Sequence, residues 1–390
     1  MRGEDASVLL TSRMLVLGRR TLASSLGDAE VTFFRDHVAG QTAMAIARGD
    51  LEERSPLLTR VHSSCVTSEC LMACDCDCAE QLTRAWEEIA AVGRGVVFYL
   101  MQEGRGAGLS AKARDRMIVQ ASGHRLTTFD AYAEMGLPAD LRRYDVIGPM
   151  ARALGIRGPI DLLTNNPEKA AGVAEGLASE KIDLRDVRSL EGSSSPFNRD
   201  YLLAKRQSGH FLERGISMPG RLPPEPIEIE TPMRAAEHSH LISTASYLLP
   251  VSLSLAAQSE EPVDWFRMRV VYDLRTARES VLLSNPAADS RSGTSLTLTL
   301  VDRLPCSAAV RRRMLRDRLL ALREAGEGPV VVHFDESNPN EDLDAGGCGD
   351  GRARLGEEIL AARWLGRGDP EMPSEGASGR RSGGVSDVGA

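Results

Sequence analysis

Apolar and polar positions change period several times along the chain, and each change marks an element. Residues 1–29 hold no sustained pattern and are read as an N-terminal extension. After them, "AEVTFFRDH" and "QTAMAIARGD" predict two short strands joined by a turn containing Gly40. Leu82, Ala85, Trp86, Ile89 and Ala90 then fall at helical spacing until Gly93 stops them, and "GVVFYL" (95–100) is an unbroken apolar run that predicts a buried strand. "SAKARDRMIVQASG" predicts a helix ended by Gly123, and "VIGPMARALGI" another ended near Gly155. "IDLLT" predicts a strand leading into "NNPEKAAGVAEGLASE", a helix with Asn166 as cap and Pro167 at its first position. Strand and helix alternating in this way predict an α/β layered domain with a mixed sheet over residues 30–216.

The pattern lapses at "SMPGRLPPEPIEIETP", so residues 217–237 read as a proline-rich linker. Beyond it "FRMRVVYDL", "SLTLTLVD" and "PVVVHFD" predict strands and "SAAVRRRMLRDRLLALREAG" a strongly basic helix. These make a smaller α+β C-terminal domain at 238–366, in which no chemical motif stands out. Residues 367–390 hold too little apolar content to fold and read as a disordered tail.

A chain of 390 residues has room for two domains with ordinary cores. Its 42% hydrophobic and 26% charged residues fit a globular protein. A net charge of −8 argues against general binding to nucleic acid, which relies on a basic surplus. No run reaches membrane-spanning length and the first twenty residues interrupt any signal-peptide core with charges, so neither a membrane nor an export route is expected.

Five of the 7 cysteines crowd into "CVTSECLMACDCDC", from Cys65 to Cys78. With Cys306 and Cys348 far apart, this is not a secreted disulfide framework, and a reducing cytoplasm is the expected home. Thiolate is the preferred soft ligand for zinc, and one loop presents Cys76 and Cys78 together. Cys65, Cys70 or Cys74 could complete the set. On the cluster alone, a structural zinc knuckle or a redox-sensitive patch competes evenly with a catalytic centre. Downstream, "QEGRGAG" (102–108), "GLPADLRRYD" (136–145) and "LLTNNPEK" (162–169) add an acid, several arginines and a helix start suited to anions.

Taken in order, RVHS-C, CDC, Q-L, QEGRG-GL, D-R-Y, LLTNNP-K and the closing "YLLAKRQSGHFL" resemble GTP cyclohydrolase II over residues 30–212. The resemblance stops before the linker. It implies a zinc ion, one per chain, on Cys65, Cys76 and Cys78, with Cys70 and Cys74 extra. It implies that Arg142 is a nucleophile toward the α-phosphorus of GTP, that Asp140 takes its proton, and that Mg²⁺ accompanies the triphosphate. GTP contacts would come from Arg60, Val61, His62, Ser63, Ser64, Gln81, Glu103, Gly104, Arg105, Thr164 and Lys169, and from Thr128, although Thr127 is adjacent. The family also implies a homodimer.

The implied reaction opens the guanine imidazole ring at C8 and releases pyrophosphate, leaving a formamido- or diaminopyrimidinone ribosylamino 5′-phosphate for riboflavin or a specialised metabolite. Zinc lowers the pKa of a bound water from about 16 toward 7, which suits that attack. The competing expectation is a catalytically silent GTP-binding regulatory protein that keeps the zinc site. Three departures from the family pattern bear on the outcome. Ser64 stands where the family carries an acid before the first cysteine, and Asp75 adds negative charge beside the thiolates. Met117 is aligned with the family's usual tyrosine, and a thioether cannot orient water as a phenol does. Met117 is therefore expected to control the product, stopping it before formate is released.

Overall fold

In the computed structural model, which describes residues 13–23, 26–254, 263–286, 293–298, 308–324, 328–334 and 348–362, the apolar run Gly95–Leu100 is a strand buried along its whole length. It is the fifth strand, β5, of a seven-stranded sheet ordered β1-β2-β3-β5-β4-β6-β7. The others are β1 (Met14–Leu22), β2 (Ala29–Asp36), β3 (Thr42–Arg48), β4 (Leu57–Ser63), β6 (Ile160–Leu163) and β7 (Leu184–Arg188). β1 to β3 run antiparallel onto β5, while β5, β4, β6 and β7 are parallel. Burial on both faces explains why the central strands are continuous apolar runs instead of alternating ones. One face is covered by α2 (Cys78–Val92) through Leu82, Ala85, Trp86 and Ile89. The other takes Ile147 and Met150 of α5 (Ile147–Ala153) and Val173 and Leu177 of α6 (Pro167–Ala178).

The N-terminal segment is not a bare extension. Met14–Leu22 pairs with Ala29–Asp36 as an edge strand, and Met14 is fully buried. Polar residues along β1 hid it, because an edge strand needs only one partner and keeps much of its surface wet.

A second, six-stranded sheet has the order β12-β13-β11-β10-β9-β8. It comprises β8 (Met233–Arg234), β9 (Leu241–Ser252), β10 (Val263–Asp273), β11 (Arg278–Ser284), β12 (Thr294–Leu298) and β13 (Val330–Phe334), and the basic helix spans Ala308–Glu324. β9 and β11 were not foreseen, and β9 pairs with β10 along its length. The proline-rich stretch also makes defined contacts: Ile227 is buried and β8 pairs with β9. The segment 367–390 lies outside the described residues.

The second sheet packs against one helix of the N-terminal half, α3 (Leu109–Ala121). Its first amides, of Leu109 and Ser110, donate to the Glu279 carboxylate at 3.2 and 2.9 Å. That places an acid at a helix start, where the dipole favours it. Near its other end the Gln120 amide makes a two-way clamp, donating to the Leu248 carbonyl at 2.6 Å and accepting from the Leu248 amide at 3.0 Å. Leu71, Ala113 and Met117 pack with Tyr247, Leu249 and Phe266 in a single apolar cluster. Burying a side chain of that size contributes about 1.5–3 kcal/mol, so the second sheet holds α3 and the loop of residues 70–73 in place.

Candidate active site

Ligand loops gather where the parallel strands β4, β5 and β6 end, the side on which an α/β sheet leaves loops free. β4 stops at Ser63, and Cys65 caps the one-turn helix α1 (Val66–Glu69). The chain turns back through residues 70–75 and returns with Cys76 and with Cys78, the first residue of α2. The Cys65 and Cys76 sulfurs are 3.6 Å apart, and those of Cys65, Cys76 and Cys78 all lie within 4.8 Å of one another. A tetrahedral zinc with Zn–S near 2.3 Å spaces its sulfurs about 3.8 Å apart, so the three thiols fit one ion. Cys70 is instead fully buried in the core between the sheets, and the Cys74 thiol donates to the Pro250 carbonyl at 3.3 Å.

Crowding holds the thiols protonated when no ion is bound. The hydrogen bond with Cys65, followed by burial, pushes Cys78 up to about 12. A cation is in place to offset the thiolates, since the Lys112 ammonium of α3 sits 3.0 Å from the Cys65 sulfur and 2.9 Å from a Glu103 oxygen. Burial opposes the charge on Lys112, while Cys65, when ionised, and Glu103 raise its pKa above the usual lysine value. Glu103 also accepts from the Val66 amide at 2.6 Å, tying the loop after β5 to α1.

Asp75 does not stand uncompensated beside the thiols. Arg116 of α3 is 3.2 Å from its carboxylate, both are buried, and the guanidinium lies over the Tyr201 ring at 4.8 Å. Arg116 thus faces the cysteines, whereas Met117, the next residue, turns the other way. The Met117 sulfur accepts from the Glu230 amide at 3.4 Å within the core between the sheets. This corrects the assignment of product control to Met117: successive residues on a helix point about 100° apart, and the register brings Arg116 to the site. Arg116 was missed because nothing in the sequence shows which face of α3 meets the thiol loop.

The Asp140 and Arg142 side chains form a bidentate ion pair, with both Asp140 oxygens accepting from the guanidinium and Oδ1 also accepting from the Arg142 amide at 2.9 Å. Despite burial, hydrogen bonding to Arg142 holds Asp140 below the usual carboxylate range. The loop carrying the pair is fastened to the loop after β5 by the Leu141 amide, which donates to the Arg105 carbonyl at 2.9 Å. Gly106 permits this approach, because a Cβ there would lie 2.9 Å from the Leu141 carbonyl carbon and its φ is +87°.

The family model described as GTP cyclohydrolase II matches residues 16–178. GTP cyclohydrolase-2 of Acinetobacter baylyi is 37% identical over 187 residues, spanning 48% of this chain and 90% of that protein. The chain belongs to the GTP cyclohydrolase II family. GTP cyclohydrolase-2 of Teredinibacter turnerae is 36% identical over 193 residues, 49% of this chain and 93% of that one. Riboflavin biosynthesis protein RibBA of Cytophaga hutchinsonii is 37% identical over 192 residues, 49% of this chain and 45% of that one. The second sheet lies beyond the part matched by the GTP cyclohydrolase II model.

The remaining residues that GTP cyclohydrolase II resemblance singles out are distributed as follows. Arg60, buried in β4, donates to the Leu163 carbonyl at 2.8 Å and to Gln81 at 2.7 Å, and Gln81 in turn donates to Asp77 at 2.7 Å. Burial pulls Arg60 down to about 10. Val61 offers its carbonyl to Lys169 at 3.0 Å. His62 is 2.8 Å from Glu69 and stacks on Tyr99, away from the thiols. Ser63 and Ser64 carry β4 into Cys65. Gly104 accepts from the Tyr132 hydroxyl at 2.7 Å, and the Arg105 guanidinium lies 3.9 Å above the Phe129 ring. Thr127 is spent as a capping residue of α4 (Thr128–Glu134), paired reciprocally with Asp130, while Thr128 is buried and donates to Asp115 at 2.8 Å. Thr164 accepts from the Asn166 amide at 3.2 Å, and Asn166 caps α6.

His210, in the closing "SGHFL", reports the charge of this region. Burial first, then Lys205, Arg142, Arg105 and Lys169, pull its pKa down to about 4. Bringing a polyanion among those four cations reverses their contribution. His210 is therefore expected to titrate near 4 in free protein and to move upward with a non-hydrolysable GTP analogue. An NMR titration checks this; a pKa unchanged by nucleotide places the phosphates elsewhere.

Proposed function

We propose that the protein is a zinc-dependent GTP cyclohydrolase II that opens guanine at C8, releases pyrophosphate and serves riboflavin or a related biosynthesis. The observation that carries this reading is the convergence of three thiols, Lys112 and Glu103 within a chain of that family. Zinc on Cys65, Cys76 and Cys78 would supply Lewis acidity and lower the pKa of the water that attacks C8. The catalytic unit is residues 30–216 together with β1.

Arg105, Arg142, Lys169 and the start of α6 receive the triphosphate with its Mg²⁺, Gln81 and Glu103 face the guanine edge, and Thr128 and Thr164 complete the binding set. Arginine is charged at any working pH, so Arg142 can attack only as it gives up a proton. Asp140, ionised and bonded to two guanidinium nitrogens, is placed to take that proton. A nitrogen–phosphorus bond to Arg142 forms as the bond from the α-phosphorus to the pyrophosphate oxygen breaks. Water later cleaves the arginine–phosphorus bond and frees the nucleoside monophosphate product.

Purified protein incubated with GTP, Mg²⁺ and zinc is expected to lose guanine absorbance and release pyrophosphate, with mass spectrometry detecting the ring-opened ribosylamino 5′-phosphate. Intact GTP bound stoichiometrically would overturn the reading in favour of a silent GTP-binding protein.

A further inference from the structure

The second sheet reaches the thiol loop itself. Ala73 and Val251 form an antiparallel bridge, the Cys74 amide donates to the Pro250 carbonyl at 3.0 Å, and the Ser252 amide donates to the Met72 carbonyl at 3.1 Å. The same strand, β9, lies along α3, with the Thr244 and Ser110 hydroxyls 3.0 Å apart and the Gln120 clamp on Leu248. Between these two attachments stands Tyr247, whose side chain is fully buried.

Its ring belongs to the apolar cluster between the sheets, but its hydroxyl has no hydrogen-bond partner among the described residues. A buried hydroxyl left in that condition costs about 1–3 kcal/mol. A phenylalanine, such as the fully buried Phe266 in the same cluster, would avoid that cost. The surroundings of the hydroxyl are not apolar, however. Asp75, Lys112, Arg116 and Cys65 all act on it electrostatically, and the loop that carries Asp75 is the one with which β9 pairs.

We infer that Tyr247 is a residue of the catalytic centre supplied by the second sheet, its hydroxyl donating a hydrogen bond to the reacting purine or water held at Cys65, Cys76 and Cys78. Burial, and then Asp75, raise its pKa well above the ordinary tyrosine value, so it acts as a donor throughout the working range. A neutral donor aimed at a reacting group stabilises charge as it develops, and a positioned phenol contributes on the scale of about 10²–10⁴-fold in comparable roles. The phenol sought on α3 is thus delivered by β9 instead. The inference rests on the cyclohydrolase reading, and its test separates the two.

Tyr247→Phe retains the ring and removes only the hydroxyl. It is expected to melt at or above the wild-type temperature, to keep its metal content, and to lose at least about tenfold in GTP turnover. In cobalt-substituted protein the visible absorption bands with a non-hydrolysable GTP analogue bound should differ between wild type and Tyr247→Phe. Unchanged turnover together with superimposable cobalt spectra would overturn the role of Tyr247. If wild-type protein leaves GTP intact, the cyclohydrolase reading fails, while the cobalt spectra still report whether the hydroxyl addresses the metal centre.

Discussion

Cys65→Ser, Cys76→Ser and Cys78→Ser are each expected to strip the protein of zinc and end ring opening, whereas Cys70→Ser and Cys74→Ser keep both. The distinction is geometric. Three sulfurs meet within 4.8 Å, while Cys70 lies in the core and Cys74 is turned to Pro250. Changing a group that merely orients a metal ligand already lowers affinity about 10–100-fold, so loss of a ligand should exceed that. Cys70→Ser should be less stable by about 1–3 kcal/mol, because it places a hydroxyl in an apolar core. Metal analysis per chain combined with thermal melting separates these outcomes. Zinc retained by a Cys65→Ser protein, or lost from Cys74→Ser while one of the three proved dispensable, would refute the assignment.

Arg142→Ala is expected to lose pyrophosphate release and ring opening together, each by at least about 10²–10⁴-fold, whereas the three Cys→Ser variants should lose only ring opening. The two chemistries use different groups, but capture of the α-phosphate by Arg142 precedes attack at C8, so its loss stops both while loss of the metal ligands stops only the second. Arg142→Lys should not rescue, because a point-charge ammonium cannot reproduce the bidentate pairing with Asp140. Asp140→Asn removes the proton acceptor but keeps the shape, so it should bind nucleotide and capture phosphate slowly. Because Arg142 depresses the pKa of Asp140, the carboxylate stays ionised as pH falls to the ordinary Asp range near 4, and it adds no acid limb above that. Pyrophosphate release at the wild-type rate from Arg142→Ala would exclude the nucleophile.

Sequence revealed the elements whose pattern is set locally. Asn166 and Pro167 open α6, Gly93 closes α2, and the unbroken run in β5 betrays burial on both faces. It missed β1, whose polar face is wet, and β9, whose apolar face was uninterpretable without knowing that α3 packs against it. At the site, the pairing of Cys76 with Cys78 was visible, but the spacing left Cys65, Cys70 and Cys74 equivalent; the family resemblance chose Cys65, and the fold of residues 66–75 brings its sulfur to the other two. The step from Met117 to Arg116 is invisible to composition. It depends on which face of α3 meets the thiol loop, which only the fold sets. Tyr247 could not have been found at all from motifs, since β9 meets the thiol loop only through contacts between segments about 180 residues apart.

Those long-range contacts impose an order on biosynthesis. The thiol ligands leave the ribosome early, yet the loop that carries them pairs with Val251 and Ser252, and α3 is secured by Leu248 and Glu279. At about 5–20 residues per second, roughly 10–40 s elapse between synthesis of Cys78 and of Glu279. During that interval, Leu71 and Met117 have no apolar partner from the second sheet, and the nascent thiols stand exposed to oxidation or to the wrong metal. Maturation of the centre is therefore a late event, dependent on the C-terminal half of the chain as much as on the cysteines themselves.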